Sequence, residues 1–148
     1  MSSDLIEKQF KQRLLAQGER LSATRLAVFR LLARKSPLLT TELVTLAADQ
    51  AVDPATTYRT IKLYREIGIV KDIVAGGRRM IELSEDYDSH HHHFHCTQCE
   101  RLIDFDNELI EASLAAAAED MGVTITTHQL EITGLCADCQ LLAHSAIV

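Results

Sequence analysis

Two cysteine pairs, Cys96-Thr-Gln-Cys99 and Cys136-Ala-Asp-Cys139, flank residues 100–135. Each CxxC is a short knuckle whose thiolates can converge on one ion, and two knuckles supply the four ligands of a closed tetrahedral site. Whatever lies between Cys99 and Cys136 must therefore bring its ends together. A thioredoxin-type redox role needs only one pair. Structural zinc held by Cys96, Cys99, Cys136 and Cys139 is the expected chemistry. The binding energy of that ion becomes folding energy for this half of the chain.

Immediately before the first knuckle runs DSHHHHFHC, residues 88–96, with five of the seven histidines. A purification tag would be longer and terminal, and would not abut a knuckle. In an extended segment side chains alternate between faces. His91 and His93 then point one way, His90 and His92 the other. Four successive histidines on a strand are thus two ligand pairs serving two sites. Potential partners lie on the neighbouring elements. LIDFD reads as a strand carrying Asp104. NELIEASLAAAAEDMG reads as a helix carrying Glu111 and closed by Gly122. VTITTHQLEITGLC, residues 123–136, reads as a strand carrying His128 into the second knuckle. Nitrogen and oxygen donors suit Zn(II), Fe(II), Mn(II), Co(II) or Ni(II), and such sites exchange more readily than an all-thiolate one. His95, beside the knuckle, and His144, in a tail, are expected bystanders.

The N-terminal half has a different character. Apolar residues recur at helical spacing in DLIEKQFKQRLLAQG, where Leu5, Ile6, Phe10 and Leu14 share a side and Gly18 is a stop. SATRLAVFRLLARK follows, with Ser22 as N-cap and Leu26, Phe29 and Leu32 as an apolar stripe. TTELVTLAADQ is a third helix. In DPATTYRTIKLYREIG, Asp53 caps, Pro54 sits at the first helical position and Gly68 terminates. Ile61, Tyr64 and Ile67 face a core, while Thr56, Arg59 and Lys62 lie on another side with Tyr58 at its border. IVKDIVAGGRRMIEL reads as a hairpin about Gly76-Gly77. This order is that of a winged helix-turn-helix, whose last helix enters the major groove of DNA.

Charge agrees with this division. Residues 1–79 carry 14 Lys and Arg against 8 Asp and Glu, whereas residues 80–148 carry 1 against 13. A basic module suits phosphate and an acidic one suits cations. No apolar run is long enough to span a bilayer, and the charged N-terminus lacks the apolar core of a signal peptide. A cytoplasmic protein with no membrane partner is expected. No HExxH, no deaminase HxE…CxxC order and no nucleophile–base pair is present, so neither catalysis nor a small-molecule substrate is expected. A metal-storage protein or metallochaperone is the rival of a different class, but it would need neither the wing nor Tyr58 and Arg59.

The sequence resembles the ferric uptake regulator family of metal-dependent repressors over nearly its whole length. The matching pieces are RLSATR, ATTYRTIKLYREIGIV, HHHHFHCTQC, IDFDNELIE, THQLEITGLC and the closing CxxC. The resemblance implies an α+β architecture: a winged helix-turn-helix over residues 1–83 and a small α/β dimerisation domain over 84–148 with the four-cysteine zinc site. It further implies a homodimer on a palindromic double-stranded operator, closed by a corepressor metal at a hinge. By position, Glu82, His91 and His93 match the hinge ligands, with Asp72 or Asp104 as the remaining one. Many members supply that ligand from a loop histidine, and RKSPLLTT has none. His90, His92, Glu111 and His128 match a second metal site. Tyr58 and Arg59 match the base-contacting pair and Arg20 a basic residue of the minor groove, so Arg20, Thr57, Tyr58, Arg59 and Lys62 form the expected DNA-binding set. The all-histidine run favours Zn(II) as the sensed metal. Glu82 and Asp104 favour Fe(II) or Mn(II), with peroxide sensing as a variant of the iron reading.

Overall fold

A computed structural model describes residues 3–145. The chain forms two compact units, Met1–Ser89 and His90–Val148.

The first unit contains α1 (Ser3–Ala16), α2 (Ala23–Lys35), α3 (Thr40–Ala48), α4 (Pro54–Glu66), β1 (Val70–Ala75) and β2 (Arg78–Leu83). The caps read from the sequence are in place. Ser22 Oγ accepts the Arg25 N–H at 3.2 Å, and Asp53 Oδ1 accepts the Thr56 N–H at 2.9 Å. Glu42 takes the free amide of Leu39 at the start of α3. β1 and β2 pair antiparallel about Gly76 and Gly77, whose φ angles of 59° and 70° suit the tight hairpin turn that glycine permits. A bridge between Leu38 and Ile81 adds a third edge to this wing.

The core lies between the helices and the hairpin. Phe10 stacks on Phe29 at 4.1 Å and meets Tyr64 edge-on at 5.7 Å. Leu14, Val28, Leu32, Leu43, Ile61, Ile69 and Ile81 complete it. Each such side chain contributes about 1.5–3 kcal/mol through burial. Leu5, predicted on the apolar side of α1, is exposed instead. The helix buries Phe10 and Leu14, and Leu5 lies about 100° round the axis from Ile6, which packs on the core. Beyond β2 the chain stays attached: Tyr87 is buried with its ring 5.5 Å from Phe29.

The second unit contains β3 (His92–Cys96), β4 (Leu102–Phe105), α5 (Glu108–Met121), β5 (Glu131–Gly134) and α6 (Ala137–Ser145). Its sheet has the order β4-β3-β5, with β3 antiparallel to β4 and parallel to β5. A parallel return needs a crossover, and α5 provides it. Asn107 caps α5, and Gly122 closes it at φ 66°.

The sequence predicts one strand over residues 123–136, but the structure forms only Glu131–Gly134. A strand exists where a neighbour supplies ladder bonds. β3 pairs with β5 from His93↔Glu131 onward, and the His93 N–H reaches the Leu130 carbonyl at 3.5 Å, so the ladder begins there and residues 123–130 form no strand. His128 consequently sits in an irregular segment rather than in a strand. His144, predicted in a tail, falls within α6, and its side chain lies outside the described residues.

Candidate functional site

β3 is the organising element of the second unit. Its strand runs from His92 to Cys96, so His92 and His93 point to opposite faces, and His90 and His91 lie just before it rather than within the expected four-histidine strand. His90 and His92 lie together with ring centroids 4.8 Å apart, and His91 and His93 lie together at 4.9 Å.

The His90–His92 pair is completed from two other elements. Glu111, in the first turn of α5, brings Oε1 to 2.7 Å from His92 Nε2 and 3.3 Å from His90 Nε2. His128 brings Nε2 to 3.2 Å from the same oxygen and 3.1 Å from His90 Nε2. The four donor atoms lie within 4.8 Å of one another. Contact with His92, then with His128, holds the Glu111 carboxyl below its ordinary pKa range. Three imidazoles and one carboxylate converging on one point fit a tetrahedral dication such as zinc, with bonds of about 2.0–2.2 Å.

The four sulfurs form a second converging set. Cys96, Cys99, Cys136 and Cys139 bring their Sγ atoms within 4.8 Å of one another, with Cys99 and Cys136 at 3.8 Å. Four sulfurs each about 2.3 Å from a central zinc stand about 3.8 Å apart, so the spacing fits that ion. The Cys136 N–H donates to Cys96 Sγ at 3.3 Å. That contact, with further backbone N–H groups from Cys99 and Gln98, lowers the Cys96 thiol to about 5. Burial and the neighbouring sulfurs push Cys139 up to about 12. Without a cation the set keeps a proton; a dication is the group that lets all four ionise.

The candidate ligands outside these two sets divide by element. His93 Nδ1 lies 3.0 Å from Asp104 Oδ1, its cross-strand neighbour on β4. Asp72 does not fit the role of a partner to Glu82. Lys71 pairs with Glu82 in the hairpin and shares its face, so Asp72 points to the opposite one. Both Asp72 oxygens are also taken by Arg65, at 2.8–3.1 Å. Glu82 itself is buried in β2, with Lys71 Nζ 3.2 Å from its carboxylate.

In the first unit, α4 turns one face to the core and one to solvent. Tyr58 (49% exposed), Arg59 and Lys62 are on the open face. Arg59 Nη2 donates to Thr56 Oγ1 at 2.9 Å. Arg20 is exposed in the loop between α1 and α2. Thr57 corrects the predicted DNA-binding set. Its side chain is fully buried, and its hydroxyl donates to the Asp53 carbonyl at 3.1 Å. Helical spacing already pointed there: Thr57 lies one turn before Ile61 and two before Tyr64, on the core stripe.

The sequence profile described as the ferric uptake regulator family matches residues 16–133. The chain belongs to the ferric uptake regulator family. It is 30% identical over 142 residues to the ferric uptake regulation protein of Campylobacter jejuni, covering 92% of this chain and 89% of that one. Among solved structures, it superposes on the Helicobacter pylori ferric uptake regulator with a TM-score of 0.75 at 19% identity, over 95% of each chain. That regulator is described with three functional metal-binding sites. A zinc uptake regulator solved with zinc and DNA gives a TM-score of 0.65 at 23% identity, over 97% of this chain and 99% of that one. At these identities the two structures speak for the fold.

Members of the ferric uptake regulator family are metal-responsive transcription regulators, not enzymes. No helix among the described residues is long and apolar enough to cross a membrane. Within this family frame, the sequence reading missed Arg25, which ties the Arg20 loop to α2. It also ranked Asp72 level with Asp104. Counting outward from the Gly76-Gly77 turn pairs position 71 with 82, so hairpin register already puts Asp72 on the opposite face.

Proposed function

We propose that this chain is a metal-dependent repressor that binds a palindromic operator as a homodimer. Cys96, Cys99, Cys136 and Cys139 hold structural zinc. His91, His93 and Glu82 are the regulatory ligands, with Asp104 the better fourth candidate. His90, His92, Glu111 and His128 form the second site. Arg20, Tyr58, Arg59 and Lys62 meet DNA. The observation that carries this reading is the pairing of His90 with His92 and of His91 with His93 where the chain enters β3, a strand that ends in the first cysteine knuckle.

A bound dication neutralises the carboxylates and orients the imidazoles around it. The chain's own residues do the rest. Tyr58 and Arg59 read base edges in the major groove, and Lys62 reaches phosphate. Metal raises operator affinity by its differential affinity for the DNA-competent state, and DNA raises metal affinity by the same factor.

A second copy of the chain is the partner that fits the second unit. Leu109 and Met121 are 78% and 67% exposed, and Val123 and Ile125, in the irregular segment after α5, add to them. Apolar surface of this kind marks an association face. A two-fold dimer then meets a two-fold operator.

Zinc is the favoured corepressor because the run is all histidine and nitrogen donors suit it. A second reading, iron or manganese dependence with peroxide sensing as its variant, draws on Asp104 beside His93. Anaerobic titration of Zn(II), Fe(II) and Mn(II) into chelated protein, followed by fluorescence anisotropy of a labelled operator, separates them. Zinc sensing requires that Zn(II) restores binding at the lowest free concentration relative to its cellular range. Restoration by Fe(II) or Mn(II) alone overturns it.

A further inference from the structure

The loop from Gln17 to Ser22 carries Arg20, and a loop residue reads DNA well only if it is held in place. Arg25, the second residue after the start of α2, holds it. Its guanidinium forks to two acceptors on the loop: Nη1 donates to the Arg20 carbonyl, and Nη2 donates to Glu19 Oε2 at 2.8 Å. The loop is pinned at its start as well, where the Glu19 N–H donates to Leu14 O at 2.9 Å. The backbone of Arg25 is fixed in turn. Its N–H goes to Ser22 Oγ, and its carbonyl accepts the Tyr64 hydroxyl at 2.6 Å. Tyr64 is fully buried and belongs to α4, the same helix that exposes Tyr58 and Arg59.

One residue therefore joins the loop bearing Arg20 to the helix bearing Tyr58 and Arg59. We infer that Arg25 is a positioning residue for DNA recognition: it fixes the offset between the minor-groove side chain of Arg20 and the major-groove side chains of α4. This rests on the reading that Arg20 and α4 contact DNA. Two parallel guanidinium bonds set both distance and direction, which a single ammonium cannot do. A loop ordered beforehand loses less entropy when it binds. Arg20 then reaches the narrow minor groove of an A·T-rich flank already in register with α4, and A-tract grooves attract arginine most strongly.

The test uses the full-length, metal-loaded protein. The probe is a palindromic duplex selected by the wild type from a random pool. A second duplex has G·C pairs in place of the flanking A·T pairs. Arg20→Ala, Arg25→Gln, the double variant and Arg59→Ala are compared by anisotropy. Arg25→Gln should weaken binding about tenfold. It should also collapse the preference for the A·T flank, as Arg20→Ala does. The double variant should be no weaker than Arg20→Ala alone, and Arg59→Ala should keep the flank preference.

A thermal melt accompanies each variant. If Arg25→Gln unfolds below assay temperature, Arg25→Lys takes its place, because it keeps charge and stem but cannot fork to both acceptors. Losses that multiply in the double variant overturn the inference. So does an intact flank preference in the Arg25 variant. If Arg20→Ala binds like the wild type on both duplexes, the reading of Arg20 itself has failed, which is a different and separately visible result.

Discussion

His92 Nε2 and Glu111 Oε1 stand 2.7 Å apart, one from the central strand of the second unit and the other from the first turn of its crossover helix. The contact joins elements that the sequence separates by a knuckle and a strand. Replacing Glu111 by Gln removes the only carboxylate of the set and leaves the imidazoles in place. The expected result is at least about tenfold weaker binding at the second site. Metal content after dialysis should fall by one equivalent per chain, with the thiolate-bound zinc retained. An unchanged stoichiometry and affinity would remove Glu111 from the ligand set.

The four-cysteine set carries a proton prediction. Cys96 is held near 5, so at pH 7.5 it is already a thiolate and releases nothing when zinc binds. Cys139 is pushed up to about 12, so it is protonated in the reduced, metal-free protein and must release its proton. Zinc binding therefore tightens as pH rises and weakens as pH falls. Calorimetry in buffers of different ionisation enthalpy reads the release directly. Zero release at pH 7.5 contradicts the assignment.

Arg59 and Thr57 are two residues apart and should behave oppositely. Arg59→Ala should weaken operator binding by about 1–3 kcal/mol and relax specificity at one base position. Thr57→Val keeps the buried shape and removes a hydroxyl that faces the Asp53 carbonyl, not solvent. It should leave operator preference unchanged and shift only stability, by about 1 kcal/mol. A change in base preference from Thr57→Val would return that residue to the DNA face.

Phe10 anchors the first unit through its stack on Phe29 and its edge contact with Tyr64. Phe10→Ala should cost about 3–5 kcal/mol in urea denaturation followed by far-ultraviolet circular dichroism. Metal at the cysteine set should not restore that loss, because the set lies in the other unit.

Much of this was legible from residues alone. Caps, glycine stops and helical spacing placed five helices and a hairpin, because those signals are local and physical: Ser22, Asp53, Pro54 and Gly122 each satisfy or close a helix end. The alternation of His90–His93 was legible too, since period two follows from an extended backbone. What failed depended on partners distant in sequence. The start of β5 at Glu131 is set by where its pairing with β3 begins, which residues 123–130 do not record. Thr57 is a different case: its place one turn before Ile61 was legible from helical spacing, and its residue type was the wrong guide. The two-way fork of Arg25 to Glu19 and Arg20 has no spacing signature at all.

The central claim is that metal at His91 and His93 controls DNA binding. It is tested by operator affinity before and after Zn(II) is returned to protein chelated mildly enough to keep its structural zinc. Wild type, His91→Ala/His93→Ala and His90→Ala/His128→Ala are compared. The account predicts that zinc tightens wild-type binding by about 5–150-fold, the usual range of such coupling. It predicts that the His91/His93 variant loses that gain while still holding thiolate-bound zinc. Equal affinity with and without added metal in the wild type would contradict it.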